Sequence, residues 1–220
     1  APILWPDDEK VPLKQYDKVK YDLMRINYDI INDQWGELET VVSSEDTGLS
    51  VTLPRISPDG RWLLLCMADY GCFNVYSKSS DLYIIDLEDA NQSGEFIPER
   101  LEVNSEQSES WHSWSINSRW IVFSSKRDYG IFTKLYISYV DESGNACKPF
   151  ILPQKDPTFY DSCLLTYNTP ELIDEPVPVR GENLARVIRG SERISVDVPI
   201  TMATPKAEGT YEGALSRQRE

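Results

Sequence analysis

A chain of 220 residues with 36 acidic against 22 basic side chains carries a formal charge of −14. That balance opposes binding to phosphate backbones, whose affinity comes from clustered Lys and Arg, and it opposes anionic membrane surfaces. No apolar run approaches the ~20 residues that span a bilayer, and the 40% hydrophobic content is that of a globular domain with a real core.

Read in chain order, the first unit is incomplete. Residues 1–5 read as the remnant of a strand, residues 21–26 as a strand and residues 37–42 as its partner. The chain opens on Ala-Pro-Ile-Leu-Trp with no basic start and no leading Met, as a mid-structure entry would. The second unit opens at residues 53–57, followed by the turn Pro58-Asp59-Gly60, in which Pro presets φ and Gly supplies the positive φ of the exit. Residues 61–67 form a nearly continuous apolar run, as expected of a strand covered on both faces. A loop at 69–80, an alternating strand at 81–87, a polar turn at 88–94 and a strand at 95–103 complete the unit.

The third unit repeats that order: strands at 111–115, 119–125, 134–140 and 148–152, with Asn117-Ser118 in place of Asp-Gly. The repeat is literal. R-I-S-P-D-G-R-W-L-L-L at 55–65 parallels S-W-S-I-N-S-R-W-I-V-F at 113–123, and Asp69-Tyr70-Gly71 returns as Asp128-Tyr129-Gly130. A period near 58 residues, built of short apolar runs and turns, predicts an all-β chain of β-propeller blades, each a four-stranded antiparallel meander. The units fall at 1–49, 50–110 and 111–155, about two and a half blades. Residues 156–220 read as an irregular extension, with a short helical turn within 156–172, a closing strand near 183–198 (strand-like alternation at 183–188 and 193–198) and a mobile polar tail from 204.

The paired lines ISPDGRWLLL and DLYIIDL resemble the WD40-like PD40 repeats of TolB-type β-propellers, over residues 21–152. The stretch HSWSINSRWIVFSSKRDYGIFTKLYISYVDESG, with KPFILPQKDPTFYD and YNTPEL after it, resembles the C-terminal half of TolB-like propeller proteins common in Bacteroidota. The resemblance implies an exported, six-bladed propeller of roughly twice this length, periplasmic or outer-membrane associated. PD40 repeats also accompany prolyl-oligopeptidase-type peptidases. A closed ring takes about 4–8 blades, so the missing ones are expected from the rest of the gene product or from a second chain.

Chemistry is sparse. The one histidine, His112, would have to serve any Ser-His-Asp or Cys-His triad, and no G-x-S-x-G elbow accompanies it. It either contacts a ligand near the channel mouth or is wedged between Trp111 and Trp114. Four cysteines without a C-x-x-C pair suggest neither a disulfide scaffold nor a zinc site. Cys66 ends an apolar strand and reads as a buried thiol rather than as a local bridge to Cys72. Trp62 and Trp120 read as packing between blades. The acidic run 86–89 lacks calcium-loop spacing, no nucleotide-binding glycine motif occurs, and neither metal nor cofactor is expected.

In a propeller, the loops after the second and fourth strands of a blade share one face. Asp69, Tyr70, His112, Arg127, Asp128 and Tyr129 are therefore the expected binding residues. The expected function is a non-catalytic scaffold binding a protein, peptide or glycan partner at the cell envelope. The alternative is an accessory or gating propeller of a larger hydrolase.

Overall fold

The repeated Ser-x-Asp/Asn-x-Arg-Trp line closes two identical hairpin turns. Ser57 N donates to Trp62 O at 2.8 Å, and Trp62 N donates back to Ser57 Oγ at 2.9 Å. Ser115 and Trp120 make the same pair at 2.8 and 3.0 Å. Arg61 N then donates to Asp59 Oδ1 and Arg119 N to Asn117 Oδ1, at 3.2 and 3.1 Å. Gly60 sits at φ 78°, and Ser118 occupies the matching left-handed position at φ 57°. A serine is kept there although it is strained, because its Oγ accepts from Asp59 N of the preceding unit at 2.9 Å.

The computed structural model describes residues 13–128 and 130–190. Two compact units are present, Ala1–Glu175 and Pro176–Glu220. In the first, a 3-10 segment Leu13–Lys18 leads into a hairpin of β1 (Leu23–Asp29) and β2 (Gln34–Val42). A short helix α1 (Ser44–Thr47) follows, then β3 (Ser50–Ile56), β4 (Trp62–Ala68), β5 (Asp81–Asp86), helix α2 (Leu87–Ser93) and β6 (Glu99–Arg100). The next sheet holds β7 (Glu109–Trp114), β8 (Trp120–Ser125), β9 (Lys134–Tyr139) and β10 (Phe150–Ile151). Both four-stranded sheets are antiparallel meanders in consecutive order, β3-β4-β5-β6 and β7-β8-β9-β10. These are two successive blades, preceded by the outer two strands of another: a partial β-propeller.

Strand periodicity explains how the blades stack. Every residue of β4 is buried. Trp62, Leu64 and Cys66 join Leu82, Ile84, Leu101 and Val103 against Trp114, Ile121, Phe123 and Tyr136 of the next blade. Leu63, Leu65 and Met67 point the other way, onto Val42 and Val51, with Leu23 and Val41 of the hairpin packed beside them. Trp62 is the expected packing between blades. Trp120 carries the same register onto the far face of its own sheet, where it is half-buried against Tyr139, ring centroids 5.3 Å apart.

The first strand of each blade carries one bulge at the same repeat position. Pairing slips between Thr52 and Arg55, and again between Ser110 and Ser113. Leu53 (φ 55°) and Trp111 (φ 47°) hold the left-handed backbone there, each at a cost of order 1–3 kcal/mol. Beyond the first bulge, Arg55 O accepts the Trp114 indole N–H at 3.1 Å and so couples the two blades.

Several local expectations change. The polar turn expected at 88–94 falls on helix α2 (Leu87–Ser93) and its cap, since Asp86 Oδ1 accepts from Glu88 N and Asp89 N, and Gly94 ends the helix in the left-handed conformation. Asp86 Oδ2 meanwhile holds Arg61 at 3.0 Å. The strand expected at 95–103 shrinks to Glu99–Arg100. Beyond it Leu101 and Val103 enter the core, while the Asn104 side-chain amide pairs with Leu82 N and O at 2.8 and 2.9 Å, in place of a strand backbone. The strand expected at 148–152 is likewise only Phe150–Ile151. The helical turn expected within 156–172 is a 3-10 turn at Phe159–Asp161. In the second unit, residues 183–188 do not form a closing strand but belong to helix α3 (Gly181–Arg189). Leu184, Val187 and Ile188 recur at helical spacing, which a short window also reads as alternation. The remainder of that expected strand, the tail from 204 and the strand remnant at 1–5 lie outside the described residues.

Candidate functional site

The loops after the second and fourth strands do converge on one edge. Ser108 Oγ, in the loop between the blades, donates to Val75 O at 2.9 Å. Lys126 N donates to Ser108 O at 3.1 Å, and the Lys126 ammonium lies 4.9 Å from the centre of the Tyr76 ring. Loop 69–80, loop 104–108 and the loop opening at Lys126 are thus one continuous surface.

Of the residues expected on this surface, Asp69, Tyr70 and Asp128 keep open area. Asp69 is exposed, and its backbone N–H is tied to Ser79 Oγ at 3.1 Å. Tyr70 is half-buried, edge-on to Tyr16 at 5.7 Å between centroids. Arg127 has a structural task instead. Its guanidinium donates to Val103 O at 2.7 Å, to Ser125 Oγ at 3.0 Å and to Glu109 Oε1 at 3.1 Å, and it stacks over Tyr136 at 4.4 Å. Glu109 is fully buried and also accepts from Ser105 N, Ser105 Oγ and Ser125 Oγ, at 3.0, 2.7 and 2.7 Å. Asp128 accepts from Tyr136 Oη and pairs with Lys134 Nζ, both at 2.9 Å. Burial and the Asp128 contact raise the Tyr136 phenol pKa. Tyr129 lies outside the described residues.

Of the two readings of His112, the ligand contact is the one the structure corrects. The histidine sits within β7, 1% exposed, not at a channel mouth. The period-2 alternation of β7 turns it inward, so that its Nε2 lies 3.2 Å from Leu64 O and its Nδ1 3.5 Å from Cys66 Sγ. Burial pushes its pKa down to about 4 and pushes the Cys66 thiol up to about 12. Cys66 is a buried free thiol, and no bridge joins it to the exposed Cys72.

The buried imidazole makes stability depend on pH. The unfolded state takes up a proton below pH ~6.5, while the folded state resists until about 4. Stability is therefore full above the unfolded value and falls as the pH drops through that window, by about 2 kcal/mol at pH ~5. A His112→Asn variant is expected to lose this component. Urea midpoints measured at neutral pH and at pH ~5 test it, and an equal slope in both proteins would refute it.

The sequence reading missed an aromatic cleft of about 470 Å³ on the same edge. Tyr16, Tyr21, Tyr70, Phe73 and Tyr76 line it, with Val19, Gly71, Cys72 and Ser77. Two hydrogen bonds at Gly71 build it: Gly71 N donates to Val19 O and the Ser50 hydroxyl to Gly71 O, each at 2.7 Å. Gly71 takes φ 74° at that contact. Phe73 and Tyr76 are each 74% exposed and present large aromatic faces. Burial beside Cys72 raises the Tyr21 phenol pKa. The available signal was the aromatic density of residues 70–76, together with tyrosines at 16 and 21. Among the described residues, no group of three or more His, Cys, Asp or Glu is placed to hold a metal ion, and no helix is long and apolar enough to cross a membrane.

No protein-family model matches the sequence, and no curated protein matches it. Among solved structures, the chain is similar to the β-propeller domain of the trilobed protease from Pyrococcus furiosus, described as an open velcro topology. Identity there is 20%, over 62% of this chain and 36% of that one, with a TM-score of 0.36. It is similar to a protein described as TolB from Agrobacterium tumefaciens at 21% identity, over 60% of this chain and 40% of that one, with a TM-score of 0.38. It is also similar to hydrazine synthase from Kuenenia stuttgartiensis at 16% identity, over 63% of this chain and 39% of that one, with a TM-score of 0.35. The chain spans less than half the length of each of these chains.

Proposed function

We propose that the protein is a non-catalytic propeller scaffold of the cell envelope, which binds a protein, peptide or glycan partner in the aromatic cleft. The observation that carries this reading is the cleft itself. Five aromatic side chains from two separate segments converge on a loop surface braced by the blades. Tyrosines offer large contact area, low entropy cost and a phenol for oriented hydrogen bonds, which is why they dominate binding hot spots. Asp69 and Tyr70 belong to this surface, whereas Arg127 and Asp128 are engaged in pairs with Glu109 and Lys134. The non-catalytic part of the proposal is supported by His112, whose ring nitrogens both lie against buried groups. The ring is completed by blades from the rest of the gene product or from a second chain. In support, among the described residues β1 and β2 pair only with each other, and Ile26, Trp35 and Leu38 are exposed on that hairpin.

The test probes peptide and glycan arrays with the wild-type chain and with a Tyr70→Ala/Phe73→Ala/Tyr76→Ala variant. The variant is expected to lose its ligands by more than about tenfold while keeping its unfolding midpoint. An unchanged ligand set removes the cleft from the proposal. Hydrolase activity in the isolated chain overturns the non-catalytic reading.

A further inference from the structure

Helix α3 is amphipathic, and none of its residues is buried. At 100° per residue, Leu184, Val187 and Ile188 fall on one face, and Glu182, Arg186 and Arg189 on the opposite one. The apolar face is open, with Leu184 48%, Val187 78% and Ile188 81% exposed. The helix starts where Asn183 N and Leu184 N donate to Arg180 O, at 2.9 and 3.3 Å. Its polar flank is basic in an acidic chain: Arg186 and Arg189 on the helix and Arg180 at its start stand against Glu182 alone.

From this the geometry points to α3 as an interfacial helix that lies on an anionic lipid surface. Its apolar face enters the headgroup boundary, and its arginines stay at the level of the lipid phosphates. Charge complementarity selects this occupant. The chain-wide charge of −14 opposes such a surface only as a sum, because screening limits each charge to a Debye length of ~8–10 Å. On α3 and its first flanking residue, three arginines (Arg180, Arg186, Arg189) stand against one glutamate (Glu182). A nucleic acid would engage the arginines and leave three apolar side chains in water. A lipid surface uses both faces of the same helix. The inference is independent of the aromatic cleft, which lies on other residues.

The experiment is co-sedimentation of the full chain with phosphatidylcholine vesicles, and with vesicles in which about one lipid in three is phosphatidylglycerol. Binding is expected to the anionic vesicles only, and to weaken when salt is raised from about 0.1 M to about 0.5 M. Arg186→Glu/Arg189→Glu is expected to weaken it by at least about twentyfold, at about fivefold per lost arginine. Leu184→Asp/Ile188→Asp is expected to abolish it, and the triple variant of the cleft to leave it intact. All the α3 positions substituted are exposed, so folding is preserved. Failure to bind anionic vesicles overturns the inference, as does equal binding to neutral ones or binding that survives both α3 variants.

Discussion

Replacing Arg127 with methionine is expected to lower the unfolding free energy by about 3–5 kcal/mol, among the largest single-residue effects in this chain. The reason is what the substitution leaves behind. Glu109 is fully buried, and its carboxylate is balanced by the guanidinium at 3.1 Å. Two serine hydroxyls and one backbone N–H complete its shell, but all are neutral donors. Without the arginine, a full charge stays in the protein interior, at a cost far above that of an exposed ion pair. The lost stacking on Tyr136 adds a smaller term. A Glu109→Gln/Arg127→Met double variant is expected to recover at least half of the loss. Its neutral amide oxygen still accepts from Ser105 and Ser125, and no charge is stranded. Chemical denaturation of the two variants decides the matter. A loss of under about 1 kcal/mol for Arg127→Met would place the pair with ordinary surface ion pairs.

Gly144→Ala is expected to cost about 2–4 kcal/mol. Gly144 takes φ 81° in the turn between β9 and β10, which alone penalises any side chain by about 1 kcal/mol. A methyl group there would also lie 2.6 Å from two ring carbons of Trp62 in the preceding blade, closer than atoms pack. Trp62 is 4% exposed and belongs to one core cluster with Leu64, Ile84 and Trp114, so moving the ring disturbs the packing between blades. In a Trp62→Leu background the steric part is expected to vanish, so that adding Gly144→Ala costs only about 1 kcal/mol more. Equal losses in both backgrounds would show that the turn alone, and not the contact between blades, requires glycine.

Strand order was legible because its signals are local. Ser57, Asp59, Gly60 and Trp62 recur as Ser115, Asn117, Ser118 and Trp120, and each copy closes its own turn with its own hydrogen bonds. The unbroken apolar run of β4 likewise announced a strand covered on both faces. The misread pieces have equally specific causes. Helix α2 depends on Asp86 serving at once as cap and as partner of Arg61, a double use that composition does not reveal. Asn104 stands in for a strand through its side chain, and the three apolar residues of α3 satisfy two periodicities within a short window.

The candidate site divides the same way. From the sequence alone, the repeat places loops 69–80 and 126–133 on one edge, since a meander returns to the same side every second strand. Which side chains of those loops remain free was decided only by the tertiary structure. Arg127 had the composition of a binding residue, yet Glu109 arrives from another strand and claims it. His112 had the chemistry of a general base, yet strand parity turns it inward against Cys66 and Leu64. Tyr16 and Tyr21 lie about 50 positions before the aromatic run 70–76, and the contact of Gly71 with Val19 makes them walls of the same cleft. Local hydrogen bonds and side-chain periodicity are written in neighbouring residues, so the blades follow from the sequence. Exposure and free valence depend on partners 15 to 60 positions away, so the site follows only from the packed fold.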